Sequence, residues 1–235
     1  MAKQSEFQCK NFSIAQNDCA MKITLDACLF ASGIHFQNPE RLLDIGSGTG
    51  LLSLFLAQRY ANTNIHAIEL DPAASAQCAQ NFERSPYHTR LQCECGDIRE
   101  LQGQTFDAIV CNPPFFTSGI SSSDPKRAQA RHAYGLPLAD LLNAIERLLS
   151  QDGECWLLLS TDALSELKNL LKGGALHLKH CIDLQARADK PIHRHFVLLS
   201  RQTMQSTRSS LCAYADGTRY TEQARTLLQD FFIRL

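Results

Sequence analysis

One stretch limits the folds open to this chain. Arg41-Leu42-Leu43-Asp44-Ile45 is an apolar run of strand length, Gly46-Ser47-Gly48-Thr49-Gly50 follows at once, and Leu51-Leu52-Ser53-Leu54-Phe55-Leu56-Ala57 has helical character. Strand, glycine-rich turn and helix make half of a nucleotide-binding βαβ unit. The glycines allow a tight turn and a close ligand approach. The free N–H groups at the helix start suit a carboxylate or phosphate. The next predicted strand, Asn64–Glu69, ends in a carboxylate twenty-three positions after Gly46, where it can hold the hydroxyls of a ribose. Asp71-Pro72 then opens a helix, with aspartate as cap and proline at the first position. A third strand over Arg90–Cys95 delivers Gly96-Asp97-Ile98 to the same edge, where Asp97 can accept from an adenine amino group and Ile98 can supply an N–H and an apolar wall.

The fourth strand, Thr105–Cys111, leads into Asn112-Pro113-Pro114-Phe115. In an open α/β sheet, ligands bind at the edge where the strands run out. These four residues suit a planar group carrying an NH2. Asn112 offers a carbonyl acceptor. Pro113 has a carbonyl without an N–H and a fixed φ. Pro114 stiffens the next bond, and Phe115 offers a flat stacking face.

About twenty residues follow with no clear periodicity, carrying Lys126, Arg127, Arg131 and His132; a loop of that length in a compact domain is often functional. From Leu138 to Leu149 apolar residues recur at helical spacing, and Gly153 is expected to end that helix. Glu154–Ser160 reads as a fifth strand and Ala163–Leu171 as a helix. Leu176–Leu184 and His195–Ser200 read as a closing strand pair. Between them lies a second basic segment with Arg187, Lys190 and Arg194; His193 and His195 read as surface or strand histidines rather than metal ligands. Thr221–Phe232 reads as a short amphipathic helix.

With 235 residues and 44% hydrophobic content the chain suits one domain: an extension at 1–40, a core at 41–201 and a tail helix within 202–235. No apolar run approaches a membrane span and the N-terminus has no signal-peptide core, so a cytoplasmic, monomeric protein is expected. The ten cysteines form no C-x-x-C, only Cys93-Glu94-Cys95, which argues for reduced thiols and against a metal. A net charge of −1 leaves room for a local basic patch, not a generic nucleic-acid surface.

Asp44 to Gly50, Glu69, Asp97 and Asn112 to Phe115, in this order, resemble a class I methyltransferase using S-adenosyl-L-methionine. The resemblance implies a Rossmann-like α/β fold, with a seven-stranded, mostly parallel sheet, an antiparallel last strand and helices on both faces. It implies that Asp44, Gly46, Gly48, Gly50, Glu69, Leu70, Asp97, Ile98 and Asn112 line the methyl donor's site, and that residues 112–115 hold the amino group to be methylated. Phe12-Ser13-Ile14-Ala15-Gln16-Asn17-Asp18 with its continuation through Lys22 and Asp26, together with Asn112–Phe116 and Arg127–Arg131, is similar to the bacterial tRNA1(Val) (adenine(37)-N6)-methyltransferases. That similarity implies an adenine beside the anticodon of a valine tRNA as substrate. It implies Lys22 and Asp26 near the donor's methionine end, and Lys126, Arg127, Arg131, Arg187, Lys190 and Arg194 on RNA phosphates. Thr24, Leu25 and Ala27 depart from the glycine-flanked pattern of that family.

Other readings stay open at this point. A guanine-N2 methyltransferase of ribosomal RNA or a glutamine methyltransferase shares the N-P-P-F need, though both usually carry a further domain. In another class stands a methyltransferase fold kept as a non-catalytic RNA-binding protein.

Overall fold

The structure, a computed structural model, describes residues 6–17, 22–113 and 136–235. The glycine-turn unit forms as expected: strand β3 (Arg41–Ile45), helix α2 (Leu51–Arg59), strand β4 (Asn64–Glu69) and helix α3 (Pro72–Glu83). Asp71 caps α3 by accepting from the Ala73 and Ala74 N–H groups, with Pro72 in the first turn. Strands β5 (Leu91–Cys95) and β6 (Phe106–Cys111) follow. Beyond the undescribed stretch come helix α4 (Leu138–Leu148), β7 (Leu149–Leu159), α5 (Thr161–Leu170), β8 (His177–Arg187) and β9 (Ile192–Ser200). Ahead of the core lie a hairpin, β1 (Glu6–Gln8) with β2 (Ser13–Ala15), and helix α1 (Leu25–Gly33).

The sheet departs from expectation in size. With β10 (Thr207–Asp216) and β11 (Arg219–Tyr220) it has nine strands among the described residues, in the order β11-β10-β8-β9-β7-β6-β3-β4-β5. The expected seven form its body. β5, β4, β3, β6 and β7 pair in parallel, and β9, last of the seven in chain order, is inserted antiparallel between β7 and β8. The additions are β10, parallel to β8, and β11, so the segment expected to give only a helix also extends the sheet before α6 (Glu222–Leu228). Only the middle of β10 is buried, at Leu211 and Ala213, which leaves its sequence without the alternation that marks a strand.

Gly153 is a second departure. It does not end α4; it lies inside β7, where the register with β6 shifts. A Cβ there would stand 2.8 Å from Leu149 Cδ1 and 2.9 Å from Ser150 Oγ, so the glycine serves a bulge.

Strand side chains alternate between two cores. Leu42, Val110, Trp156, Leu158 and Phe196 face α1, α2, α3 and α6, while Leu43, Ile45, Ile109, Leu157 and Val197 face α4 and α5. The first core also takes in the hairpin. Phe231 stacks on Phe55 with centroids 4.1 Å apart, Phe232 meets Phe7 edge-on at 5.7 Å, and the Lys10 N–H donates to the Phe231 carbonyl at 2.8 Å. Among the described residues all nine cysteines are free.

Candidate active site

The carboxyl ends of β3, β4, β5, β6 and β7 share one edge, and the expected residues meet there. Gly46, Gly48 and Gly50 take φ of +69°, +56° and +83°. A Cβ at Gly46 or Gly48 would meet nothing within 4 Å, so those positions face open space beside the turn. The Gly48 N–H donates to Glu69 Oε2 at 2.8 Å, and the Asp71 N–H to Glu69 Oε1 at 3.0 Å. Glu69 is therefore fixed in place, with a lone pair left on each oxygen. Leu70 follows at the same rim, half-buried.

Asp44 is fully buried beneath the turn. Its Oδ2 accepts from the Ser53 N–H at 3.1 Å and the Ser53 hydroxyl at 2.7 Å, while Oδ1 is buried with no partner among the described residues. Burial pushes this carboxyl up to about 7; the Ser53 bonds oppose the rise and the charge of Glu69 adds to it. The folded value thus lies above the unfolded value of about 3.9. Its contribution to stability is complete below about pH 4 and is lost as pH rises through about 7. Asp44→Asn is expected to flatten that slope, raising stability at pH 8 by up to about 4 kcal/mol. Urea unfolding of both proteins at pH 5 and pH 8 checks it; equal slopes would place the proton elsewhere.

Asp97 reaches the edge beyond β5, tied there by the Gly96 N–H donating to the Glu69 carbonyl at 3.0 Å. Its carboxylate is engaged by the Arg99 guanidinium, whose Nε lies 3.0 Å from both oxygens, and Arg99's hydrogen bonds hold it below the usual range. Sequence reading left Asp97 free for an amino group and missed this competitor. Ile98 is buried, and its carbonyl accepts from Arg147 at 2.8 Å.

Asn112 leaves β6 opposite the turn, since Cys111 pairs with Ile45 on one side and Leu157 on the other. Asn112 is half-buried, yet its Oδ1 is fully buried and has no hydrogen-bond partner among the described residues. Such an orphan acceptor costs free energy unless something donates to it. Pro113 is buried. Pro114 and Phe115 lie outside the described residues, as do Lys126, Arg127 and Arg131.

The N-terminal segment reaches the turn through Asn81, a buried polar residue of α3. Asn81 Oδ1 accepts from the Ala15 N–H and its Nδ2 donates to the carbonyls of Ala15 and Thr49, each at 2.9 Å. The sequence gives little signal for it, since Ser75 and Gln77 are also buried on the same helix. Lys22 donates to the Gln16 carbonyl, next to that contact. Asp26 turns instead toward β9, with Oδ2 3.2 Å from His193 Nε2 and 3.6 Å from Arg194 Nε. The second basic segment is largely strand. Arg187 ends β8 and pairs with Asp189 at 3.0 Å, Lys190 stands 3.7 Å from the same carboxylate, and Arg194 lies in β9. This hairpin sits at the same sheet edge as Asn112, because β9 enters antiparallel to β7.

A family model described as "Methyltransferase small domain" matches residues 12–172. The tRNA1(Val) (adenine(37)-N6)-methyltransferase of Vibrio vulnificus is 35% identical over 234 residues, covering 99% of this chain and 98% of its own length. The protein of the same name from Aeromonas hydrophila is 36% identical over the full length of both chains, and that from Dyadobacter fermentans 34%. Among solved structures, a predicted O-methyltransferase from Agrobacterium tumefaciens superposes with a TM-score of 0.69 at 15% identity, covering 87% of this chain and 96% of its own. A tRNA m1G37 methyltransferase of M. jannaschii gives 0.60 at 11% identity, covering 84% and 54%. At such identities these structures speak for the fold.

Proposed function

The chain belongs to the methyltransferase small-domain family and, within it, to the tRNA1(Val) (adenine(37)-N6)-methyltransferases, and on that premise we propose that it methylates N6 of adenine 37 in a valine tRNA using S-adenosyl-L-methionine. The observation that carries this reading is the buried Oδ1 of Asn112, without a hydrogen-bond partner among the described residues, at the end of β6 on the sheet edge that also carries the glycine turn. An acceptor kept dry and unpaired waits for a donor, and an exocyclic amino group is one.

The residues present fit the methyl donor. The open side of Gly46 and Gly48 gives the methionine part room, Glu69 keeps lone pairs for ribose hydroxyls, and Asp97 with Ile98 borders the adenine. Lys22 and Asp26 belong to the segment on the methionine side. When bound, S-adenosyl-L-methionine supplies a methyl group on a positively charged sulfur. The amino nitrogen it must meet is a poor nucleophile, because its lone pair is delocalised into the ring. Asn112 Oδ1 and the Pro113 carbonyl accept its two N–H bonds and hold the lone pair outward. Alignment of this kind can supply roughly 7–11 kcal/mol of the acceleration. Phe115 stacks on the base once it leaves its own stack. Arg187, Lys190 and Arg194 on the β8–β9 hairpin, with Lys126, Arg127 and Arg131, hold RNA phosphates.

The whole chain acts as one domain in the cytoplasm, where tRNA is found; no described helix is long and apolar enough to cross a membrane. Incubation with methyl-labelled donor and unmodified tRNA transcripts, followed by nucleoside analysis, tests the reading. N6-methyladenosine confined to valine tRNA is expected. N2-methylguanosine, or label on protein, would overturn it.

A further inference from the structure

Two thiols meet beneath the glycine turn. Ser75 and Cys78 stand three positions apart on α3, so they share one face of a helix that packs on β5. Cys78 is fully buried, and the Ser47 hydroxyl in the turn donates to its sulfur at 3.5 Å. A Cβ added to Gly50 would stand 2.9 Å from the same sulfur, so this thiol is part of the floor of the turn. Cys93 reaches the spot from β5, the outermost strand on that side among the described residues, and is only partly buried. Its sulfur lies 3.5 Å from Ser75 Oγ and 3.6 Å from the Ser75 carbonyl oxygen. The two thiols hydrogen-bond each other, and the Ser47 hydroxyl is within reach of both.

Their protons are unequally held. The hydrogen bond from Cys78 does most to draw Cys93 below the ordinary thiol value, and Ser75 and Ser47 add to it against burial. Burial pushes Cys78 well above that value, so it keeps its hydrogen and supplies it to Cys93. A partly exposed thiolate beside a protonated thiol is the arrangement of a reactive dithiol. Other buried thiols differ. Burial raises Cys9, Cys28, Cys111 and Cys155. Cys181 is raised as well, and it faces a separate network in which Asp183 binds His195 and Arg208, and His195 binds Thr161.

We propose that Cys93 is a site of reversible oxidation by a peroxide, that Cys78 resolves it as a disulfide, and that this disulfide weakens donor binding at the glycine turn. The last part rests on the methyl-donor reading; the first two do not. The Cys93 sulfur attacks one oxygen of hydrogen peroxide. A sulfur–oxygen bond forms, the oxygen–oxygen bond breaks, and the hydroxide that leaves becomes water with the proton Cys93 gave up. Cys93 is now a sulfenic acid, oxidised by two electrons. The Cys78 sulfur then attacks the Cys93 sulfur, the sulfur–oxygen bond breaks, and the departing hydroxide takes the Cys78 hydrogen. Two thiols and one hydrogen peroxide give one disulfide and two waters. Disulfide sulfurs stand about 2.05 Å apart, closer than hydrogen-bonded thiols. Closing that gap draws the Cys78 sulfur from Ser47 and from beneath Gly50 toward β5, which loosens the turn.

The full chain, reduced and then exposed to hydrogen peroxide near neutral pH, tests the site by peptide mass spectrometry without reduction. Cleavage after lysine and arginine parts the Cys78 peptide from the one that holds Cys93 and Cys95, and fragmentation tells those two apart. A linked Cys78–Cys93 pair is expected as the first product, reversed by dithiothreitol. In Cys78→Ser the Cys93 sulfenic acid persists and is trapped by dimedone. Cys95→Ser leaves the linkage intact. Calorimetric titration with S-adenosyl-L-methionine is expected to show affinity about tenfold weaker in the oxidised protein, within the usual range for coupled sites, and restored by dithiothreitol. Cys93→Ser should bind the donor equally well with and without prior peroxide. Absence of the linked pair, or oxidation that appears first at Cys95, overturns the site. Unchanged affinity in the linked protein overturns its control of the turn. A reduced protein that binds no donor overturns that control together with the reading beneath it, while the mapped linkage stands or falls separately.

Discussion

Asn112→Ala is expected to slow methyl transfer about a thousandfold, roughly 4 kcal/mol at the transition state, while donor affinity changes by less than about threefold. The asymmetry comes from where the atom sits. Oδ1 is buried at the end of β6 and has no partner among the described residues, so its removal breaks no described contact of the fold. What it loses is the hydrogen bond that turns the amino nitrogen's lone pair outward. Asn112→Asp is informative beside it. It keeps the shape and the acceptor but places a charge in a buried site, so it should restore little. Single-turnover rates and donor titration by calorimetry separate the two quantities. Loss of donor binding in Asn112→Ala would move the residue from the substrate to the donor side, and an unchanged rate would remove it from the chemistry.

Gly50→Ala is expected to destabilise the fold by roughly 2–5 kcal/mol. About 1–2 comes from forcing a Cβ into the left-handed region and 1–3 from overpacking. Gly50 caps α2 at φ +83°, and its Cβ would stand 2.6 Å from Phe82 Cε1 and 2.9 Å from Cys78 Sγ, both buried in the α3 side of the core. A ring and a thiol packed on all sides cannot step back by several tenths of an ångström at low cost. In a domain of this size the expected fall in melting temperature is about 5–15 °C. Gly48→Ala is the contrast. Its φ is +56°, but nothing lies within 4 Å of the added carbon. It should cost only about 1–2 kcal/mol of stability and show its main effect in donor affinity. Thermal melts with donor titration of both variants check the pair; a Gly50→Ala protein as stable as wild type would mean that α3 can swing away from the turn.

Local chemistry is what the sequence made readable. The Asp71-Pro72 cap and the positive-φ glycine turn are fixed by residues within a few positions of one another, and each forms as expected. Asn112 was legible for the same reason, as the end of an apolar strand stiffened by proline. Contacts made across the sheet were not. Thr161, Asp183, His195 and Arg208 come from four elements, and alone each reads as an ordinary strand or helix residue. Gly153 looked like a helix stop because a glycine five residues past Leu148 fits one, whereas the bulge that needs it depends on the partner strand. β10 escaped because half of it is exposed at the sheet margin, where pairing with β8 rather than apolar pattern defines the strand.

The packing of Phe231 and Phe232 against the hairpin has a thermodynamic corollary. Phe7 and Lys10 meet that pair, Ala15 at the hairpin's other end bonds Asn81, Asn81 bonds Thr49, and Thr49 belongs to the turn proposed to face the donor. The hydrophobic close of α6 is therefore wired to the ligand pocket by a short run of backbone. Linkage is symmetric: any free energy the hairpin's order lends to ligand binding, binding returns to the hairpin. To whatever extent the hairpin's order favours occupancy of the glycine turn, occupancy would hold Phe232 more firmly on the far side of the hairpin.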